Sequence, residues 1–291
     1  MNEASALAAH ASLYIVATPL GNARDITLRA LDVLRAVDVV AAEDTRHSQR
    51  LLDAHGMRPH LLALHEHNEQ EGATRVIDLL AQGRHVALIT DAGTPAISDP
   101  GARLVARVRE AGHPVVPIPG PCAAVAAMSV AGLTDAHFHF VGFLPPKSAA
   151  RRGALEELRA IDAALLVYEA PHRIVECVDD LLAVFGGERH LVVCRELTKM
   201  FEQIAAMPLA DAPAWFAGDA HRQKGEFVLV IGGAPAPTGV PAAAQRVLRL
   251  LVEDLPLKRA ARLAAELTGV PKNDLYDFGL SLKASSADDE V

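Results

Sequence analysis

The chain has 291 residues, 51% hydrophobic and 4% aromatic, with a formal charge of −8. That length supports two domains with real cores. The acidity excludes a generic nucleic-acid coat, the scarcity of aromatics argues against a stacking platform for single strands, and no run of eighteen apolar residues reads as a membrane span. Residues 1–12 are Ala-rich without a basic flank or a long apolar stretch, so they read as a frayed tail and not as an export signal. Leu13–Ala17 reads as a strand, Thr27–Arg35 as a helix capped by Thr27, and Val37–Ala42 as a second strand. A helix over 48–54, a strand over 61–64 and a helix over 71–81 follow. His85–Thr90 is an apolar run that reads as a buried strand, followed by a helix over 102–111 and a strand over 115–118. Strands alternating with helices imply right-handed crossovers and a mostly parallel sheet.

Past Thr134 the rhythm changes. His137–Val141 alternates like a strand, and helices over 150–161 and 173–185 are interleaved with strands over 164–168, 190–194, 202–206 and 226–231. This is a second α/β unit. The expected division is a first α/β domain over 13–125, a second over 126–233 and a Pro-rich linker over 234–241. A C-terminal helical domain over 242–284 follows, with a helix-turn-helix-like corner at Leu267–Pro271, and then a disordered acidic tail over 285–291.

Cys122, Cys177 and Cys194 are odd in number and far apart, which fits a reducing, cytoplasmic setting without a disulfide framework. No C-x-x-C pair is present, and His65-Glu66-His67 lacks the spacing that places two ligands on one helix face, so no metal is expected. The dinucleotide fingerprint, the P-loop and the nucleophile elbow are all missing. What stands out is Thr90-Asp-Ala-Gly-Thr-Pro-Ala-Ile-Ser-Asp-Pro-Gly101, a long small-residue loop at the end of a strand. Open α/β sheets bind ligands at such strand ends. Within this loop Asp99 reads as the N-cap of the next helix, with Pro100 at its first position.

Further loops end other strands: ATPLGN (17–22), AEDTR (42–46), PGPCAA (119–124), YEAPHR (168–173), RELTK (195–199) and KGEF (224–227). In this order and spacing they resemble the tetrapyrrole methylase superfamily, the class III S-adenosylmethionine-dependent methyltransferases. Within it the match is closest to the ribosomal small-subunit RNA (cytidine-2′-O)-methyltransferases. The resemblance runs from about Leu13 to Pro235 and, more loosely, through the C-terminal helices. It implies a two-domain α/β fold with S-adenosyl-L-methionine in the cleft between domains, and a homodimer acting on small-subunit ribosomal RNA within the assembled 30S subunit. By similarity, Pro19 would line the substrate side. Asp91, Gly93 and Ile97 would hold the cofactor, Cys122 and Ala123 would contact it from the next strand end, and Tyr168 and Gly225 would close it from the second domain.

Methylation of a ribose hydroxyl is helped by a base that removes its proton. The strand-end carboxylates Glu43, Asp44, Glu169 and Glu196 are all candidates, with His172 as an imidazole alternative. Arg46, Arg173 and Lys199, together with His172, suit RNA contacts. Lys147, Arg151 and Arg152 put three cations in six residues, and Lys258, Arg259 and Arg262 form a second cluster. Two other readings stand beside this one: methylation of a porphyrinoid carbon, and a ligand-sensing regulator that binds DNA through its helical tail. The last helix carries few basic residues, which weighs against the regulator.

Overall fold

A computed structural model describes residues 7–65, 68–134, 137–235 and 239–288. They form two compact units, 1–234 and 235–291, and the first holds two lobes, each built on a five-stranded sheet.

The first lobe's strands are β1 (Leu13–Val16), β2 (Val39–Ala42), β3 (His60–Ala63), β4 (Val86–Ile89) and β5 (Val115–Ile118). They run parallel in the order β3-β2-β4-β1-β5. β2 and β4 are apolar along their whole length and buried on both faces, as inner strands of a parallel sheet must be. Helices α1 (Leu28–Ala36) and α2 (Thr45–Ala54) cover one face, packing Ala30, Val33, Leu34 and Leu52 against it. Helices α3 (Glu69–Ala81) and α4 (Ala102–Glu110) cover the other with Ala73, Val76, Leu80, Leu104 and Val108. Thr27 caps α1 as expected, its hydroxyl accepting from the Ala30 amide at 3.2 Å. Residues 7–12 are not frayed. Ser12 is fully buried with its amide donating to His85 Nδ1 at 3.3 Å, and the Ala8 amide donates to the Tyr14 hydroxyl at 2.6 Å.

The second lobe consists of α5 (Ala123–Val130), β6 (Phe138–Phe143), α6 (Ser148–Leu158), β7 (Ala164–Glu169), α7 (Ile174–Phe185), β8 (His190–Arg195), β9 (Gln203–Pro208), α8 (Ala212–Ala217) and β10 (Phe227–Ile231). Its sheet order is β6-β7-β10-β8-β9, and unlike the first it is mostly antiparallel. Only β6 and β7 run parallel, while β10 inserts antiparallel to both β7 and β8, and β8 pairs antiparallel with β9. The reason is local: no helix separates β8 from β9, so the chain turns straight back. Helix α5 packs Ala124 and Ala127 on this sheet, against Leu166, Val192 and Val230. A boundary at 125/126 would therefore cut through a helix of the second lobe, and the change of lobe falls before α5.

The C-terminal unit is a three-helix cluster of α9 (Ala242–Asp254), α10 (Leu257–Thr268) and α11 (Lys272–Asp288), closed around Ala244, Leu248, Ala260, Ala261, Ala264 and Leu275. Gly269 ends α10 in the left-handed conformation at φ 72°, which makes the corner read from the sequence. The tail expected over 285–291 is helical as far as Asp288.

Candidate active site

A cavity of about 350 Å³ lies between the two lobes of the first unit. From the first lobe it is walled by Leu20 after β1 and residues 92–94 and 97–99 after β4, and, where the chain crosses to the second lobe after β5, by Cys122 and Ala123. These are the carboxyl ends of parallel strands, where side chains give way to backbone and a ligand can enter. The second lobe contributes Phe143, Tyr168, Glu169, Leu197 and the start of β10.

The loop after β4 is held in an unusual course. Ala96 and Ser98 sit at positive φ (69° and 64°), and the segment is tied to β1 by reciprocal backbone hydrogen bonds between Thr18 and Gly93 of 2.9 and 3.0 Å. Gly93 itself has φ 82°, and a Cβ there would come within 3.3 Å of Leu20 Cδ2, so glycine keeps this wall of the cavity bare.

Asp99 is not a helix cap. The cap position of α4 belongs to Gly101, at φ 128°, and the free amides of that helix end are satisfied from elsewhere. Oε1 of the buried Glu69, in the first turn of α3, accepts from the amides of Gly101 (3.1 Å), Arg103 (3.1 Å) and Leu104 (3.3 Å). A carboxylate supplied from α3 thus takes the role expected of Asp99, and Asp99 lines the cavity instead. Burial, followed by the neighbouring charge of Glu43, pushes its carboxyl up to about 6, with Asp91 adding to the rise and the nearby Thr90 hydroxyl opposing it. Sequence reading missed this residue because Asp-Pro-Gly before an amphipathic run is a strong local capping signal.

The four carboxylates expected as bases separate by what surrounds them. Asp44 caps α2, its Oδ1 accepting from the amides of Arg46 (2.8 Å) and His47 (3.4 Å), and the Arg46 amide is the main cause that holds it below the usual range. Glu169 is buried, and both its oxygens are engaged by Arg173, at 3.1 and 3.2 Å. Glu196 accepts from Lys199 Nζ and from the Glu226 amide, each at 2.9 Å. Burial alone would raise its carboxyl, but these hydrogen bonds outweigh it and hold it low. Glu43 is half-buried and raised, first by burial and then by Asp91.

Of the residues expected at the cofactor, Gly93, Ile97, Cys122, Ala123 and Tyr168 meet at the cavity. The Tyr168 hydroxyl accepts from the Ala124 amide at 2.9 Å, tying β7 to the start of α5. Pro19, Asp91 and Gly225 lie outside its lining. Asp91 instead accepts from the Asp44 amide at 3.3 Å. Gly225, at φ 96°, lets the chain pass Glu196, whose Cγ would be 2.5 Å from an added Cβ.

The basic residues divide in the same way. Arg151 is fully buried, its Nε donating to Asp180 at 2.7 Å, so it cannot reach RNA. It sits on the inner face of α6 with Leu155, and the charge run from which it was read says nothing of facing. Arg152 is half-exposed but also bound to Asp180, Arg173 donates to the carbonyl of Leu144 at 2.6 Å, and Lys199 is paired with Glu196 and Glu226. Arg46, Lys147 and His172 remain exposed. Among the described residues no group of three or more His, Cys, Asp or Glu side chains is arranged to hold a metal ion, and no helix is long and apolar enough to cross a membrane. The His65-Glu66-His67 run lies partly outside the described residues.

Comparison with known proteins follows the same division. Residues 12–213 match the family of tetrapyrrole (corrin/porphyrin) methylases, and residues 238–283 match the RsmI C-terminal HTH domain. Ribosomal RNA small subunit methyltransferase I of Pseudomonas aeruginosa is 52% identical over 94% of this chain and 99% of its own length. The enzyme of the same name from Escherichia coli O157:H7 is 51% identical over 92% of this chain and 94% of its own. Among solved structures, the uroporphyrin-III-C-methyltransferase of Thermus thermophilus is 24% identical with a TM-score of 0.56, over 77% of this chain and 94% of that one. The methyltransferase CobJ is 18% identical with a TM-score of 0.59, over 78% and 95%. At these identities the two structures share the fold alone. The chain belongs to the tetrapyrrole methylase family, among its ribosomal RNA small-subunit methyltransferases of type I.

Proposed function

We propose that this protein methylates the ribose 2′-oxygen of a cytidine in small-subunit ribosomal RNA, with S-adenosyl-L-methionine as the donor. The observation that carries the reading is the cavity between the lobes, set at the carboxyl ends of β1, β4 and β5. Its residues fit such a donor. The volume of about 350 Å³ falls within the range of small-ligand sites, the bare backbone at Gly93 and Ala123 allows close approach, and Leu20, Ile97 and Phe143 supply apolar walls. When bound, the donor supplies an electrophilic methyl group on positively charged sulfur.

The chain's own contribution is to hold and orient. Positioning of two reactants can supply roughly 7–11 kcal/mol of a barrier, and the backbone pair Thr18–Gly93 and the bond from the Ala124 amide to the Tyr168 hydroxyl fix walls of the cavity. Arg46, Lys147 and His172 are exposed and suited to RNA phosphates, whereas Arg151, Arg173 and Lys199 serve the fold. The 43% to 52% identity to ribosomal RNA methyltransferases across both the body and the C-terminal helices supports RNA over a macrocycle as substrate. Action on the assembled subunit, in the cytoplasm, follows from the same reading. So does a homodimer, for which the exposed Met200, Phe201 and Ile204 offer apolar surface.

The test is transfer of label from methyl-labelled donor to undermethylated small subunits, to free RNA and to a uroporphyrin-type macrocycle, with the modified position mapped. Label in ribose of the small-subunit RNA is expected. Label in the macrocycle alone, or in a base, overturns the proposal.

A further inference from the structure

Three carboxylates among the described residues line the cavity: Asp99, Glu169 and Glu226. Glu169 is fixed on both oxygens by Arg173, and Glu226 is paired with Lys199 Nζ at 2.9 Å. A carboxylate bound to a cation is a poor proton acceptor, because protonation must first break the ion pair. Among the described residues Asp99 forms no ion pair. It lies half-buried on a loop with two positive-φ residues, Ala96 and Ser98, before the helix. Glu69 has already satisfied the amides that Asp99 would otherwise cap. The loop reaches the second lobe as well, since Ser98 Oγ would lie 2.9 Å from a Cβ on Gly142. Asp99 therefore faces the space that both lobes enclose.

From this placement we infer that Asp99 is the general base that accepts the proton of the ribose hydroxyl. The inference rests on the methyltransferase reading above and adds a catalytic residue to it. In the step it serves, the 2′-oxygen forms its bond to the methyl carbon while the carbon–sulfur bond breaks, leaving its electron pair on a sulfur that becomes neutral. The O–H bond breaks with its pair left on oxygen, the proton passes to Asp99 Oδ, and the neutral acid then releases it to water. The groups facing Asp99 are Glu43 from the end of β2, Asp91 and Thr90 from the end of β4, and the Tyr168 phenol from β7. Burial first, and then two carboxylates with no cation among these groups, raise its affinity for a proton toward neutrality, where a base is most effective.

The experiment compares wild type with Asp99→Asn and Glu43→Gln on undermethylated small subunits. It reads the single-turnover rate against pH, the donor's Kd by calorimetry, and the Asp99 carboxyl titration by NMR in the protein without donor. The wild-type rate is expected to rise with pH to a plateau with its midpoint near 6, matching the NMR titration. Asp99→Asn should lower the plateau rate by about 10²- to 10⁴-fold and abolish the pH step. It should leave the donor's Kd within about threefold, with thermal unfolding confirming an intact fold. A rate loss below about tenfold, a Kd weakened in proportion to the rate, or a pH step lost in Glu43→Gln but kept in Asp99→Asn overturns the assignment. Failure of wild type itself to label the small subunit would instead sink the functional reading, so the two failures are distinguishable.

Discussion

At the scale of single residues, the cost of placing Asp99 at the cavity should appear in stability. Its carboxyl lies at about 6 in the folded chain against an ordinary 3.8, so the native state holds its proton more tightly between those values. Stability from this group is fully present below pH 4 and is lost as pH rises through 6, roughly 1–2 kcal/mol once solvent screening is allowed for. Asp99→Asn removes the dependence, so at pH 7.5 the variant should unfold at a higher temperature than wild type, while at pH 4 the two should coincide in thermal melts. Neighbours in sequence can also serve opposite ends. Arg151→Ala strips a buried ion pair from Asp180 and should cost about 3–5 kcal/mol in denaturant unfolding. Lys147→Ala, at an exposed site four residues away, should leave stability unchanged and lower the salt dependence of RNA binding by about one counterion.

Among the elements, the parallel sheet of the first lobe was legible because its strands are continuous apolar runs separated by amphipathic stretches. The second sheet was not, because its order depends on β10 slotting between β7 and β8, a pairing between segments far apart in the chain that no local pattern records. Helix α8, six residues with a proline in its first turn, is too short to show a period. The candidate site was half legible for the same reason. Small residues at strand ends announce a ligand cavity, and Gly93, Ile97, Cys122, Ala123 and Tyr168 meet there. The residue that stands unpaired in it was masked by a local capping pattern, because the true cap comes from Glu69, thirty-two residues before Gly101. Glu69→Ala should therefore leave three amides of α4 unsatisfied and destabilise the protein by about 1–3 kcal/mol. Hydrogen exchange should rise first at Gly101, Arg103 and Leu104. Uniform loss of protection across both lobes would argue against so local a role.

For the whole molecule, the two compact units predict a division of labour. The helices beyond Pro235 close around their own core of Ala244, Leu248, Ala260 and Leu275. A chain ending at Ala234 should keep its melting transition and its donor affinity while its affinity for small-subunit RNA falls by tenfold or more. Equal loss of both affinities would mean that the cavity depends on the C-terminal unit. The three thiols supply an internal reporter for such measurements. Cys177 and Cys194 are fully buried, and burial pushes Cys194 up to about 11, whereas Cys122 is partly open on the cavity wall. A maleimide should thus tag one position on the native protein, at a rate that drops as the space beside it fills, so that occupancy can be followed without an RNA substrate or an engineered label.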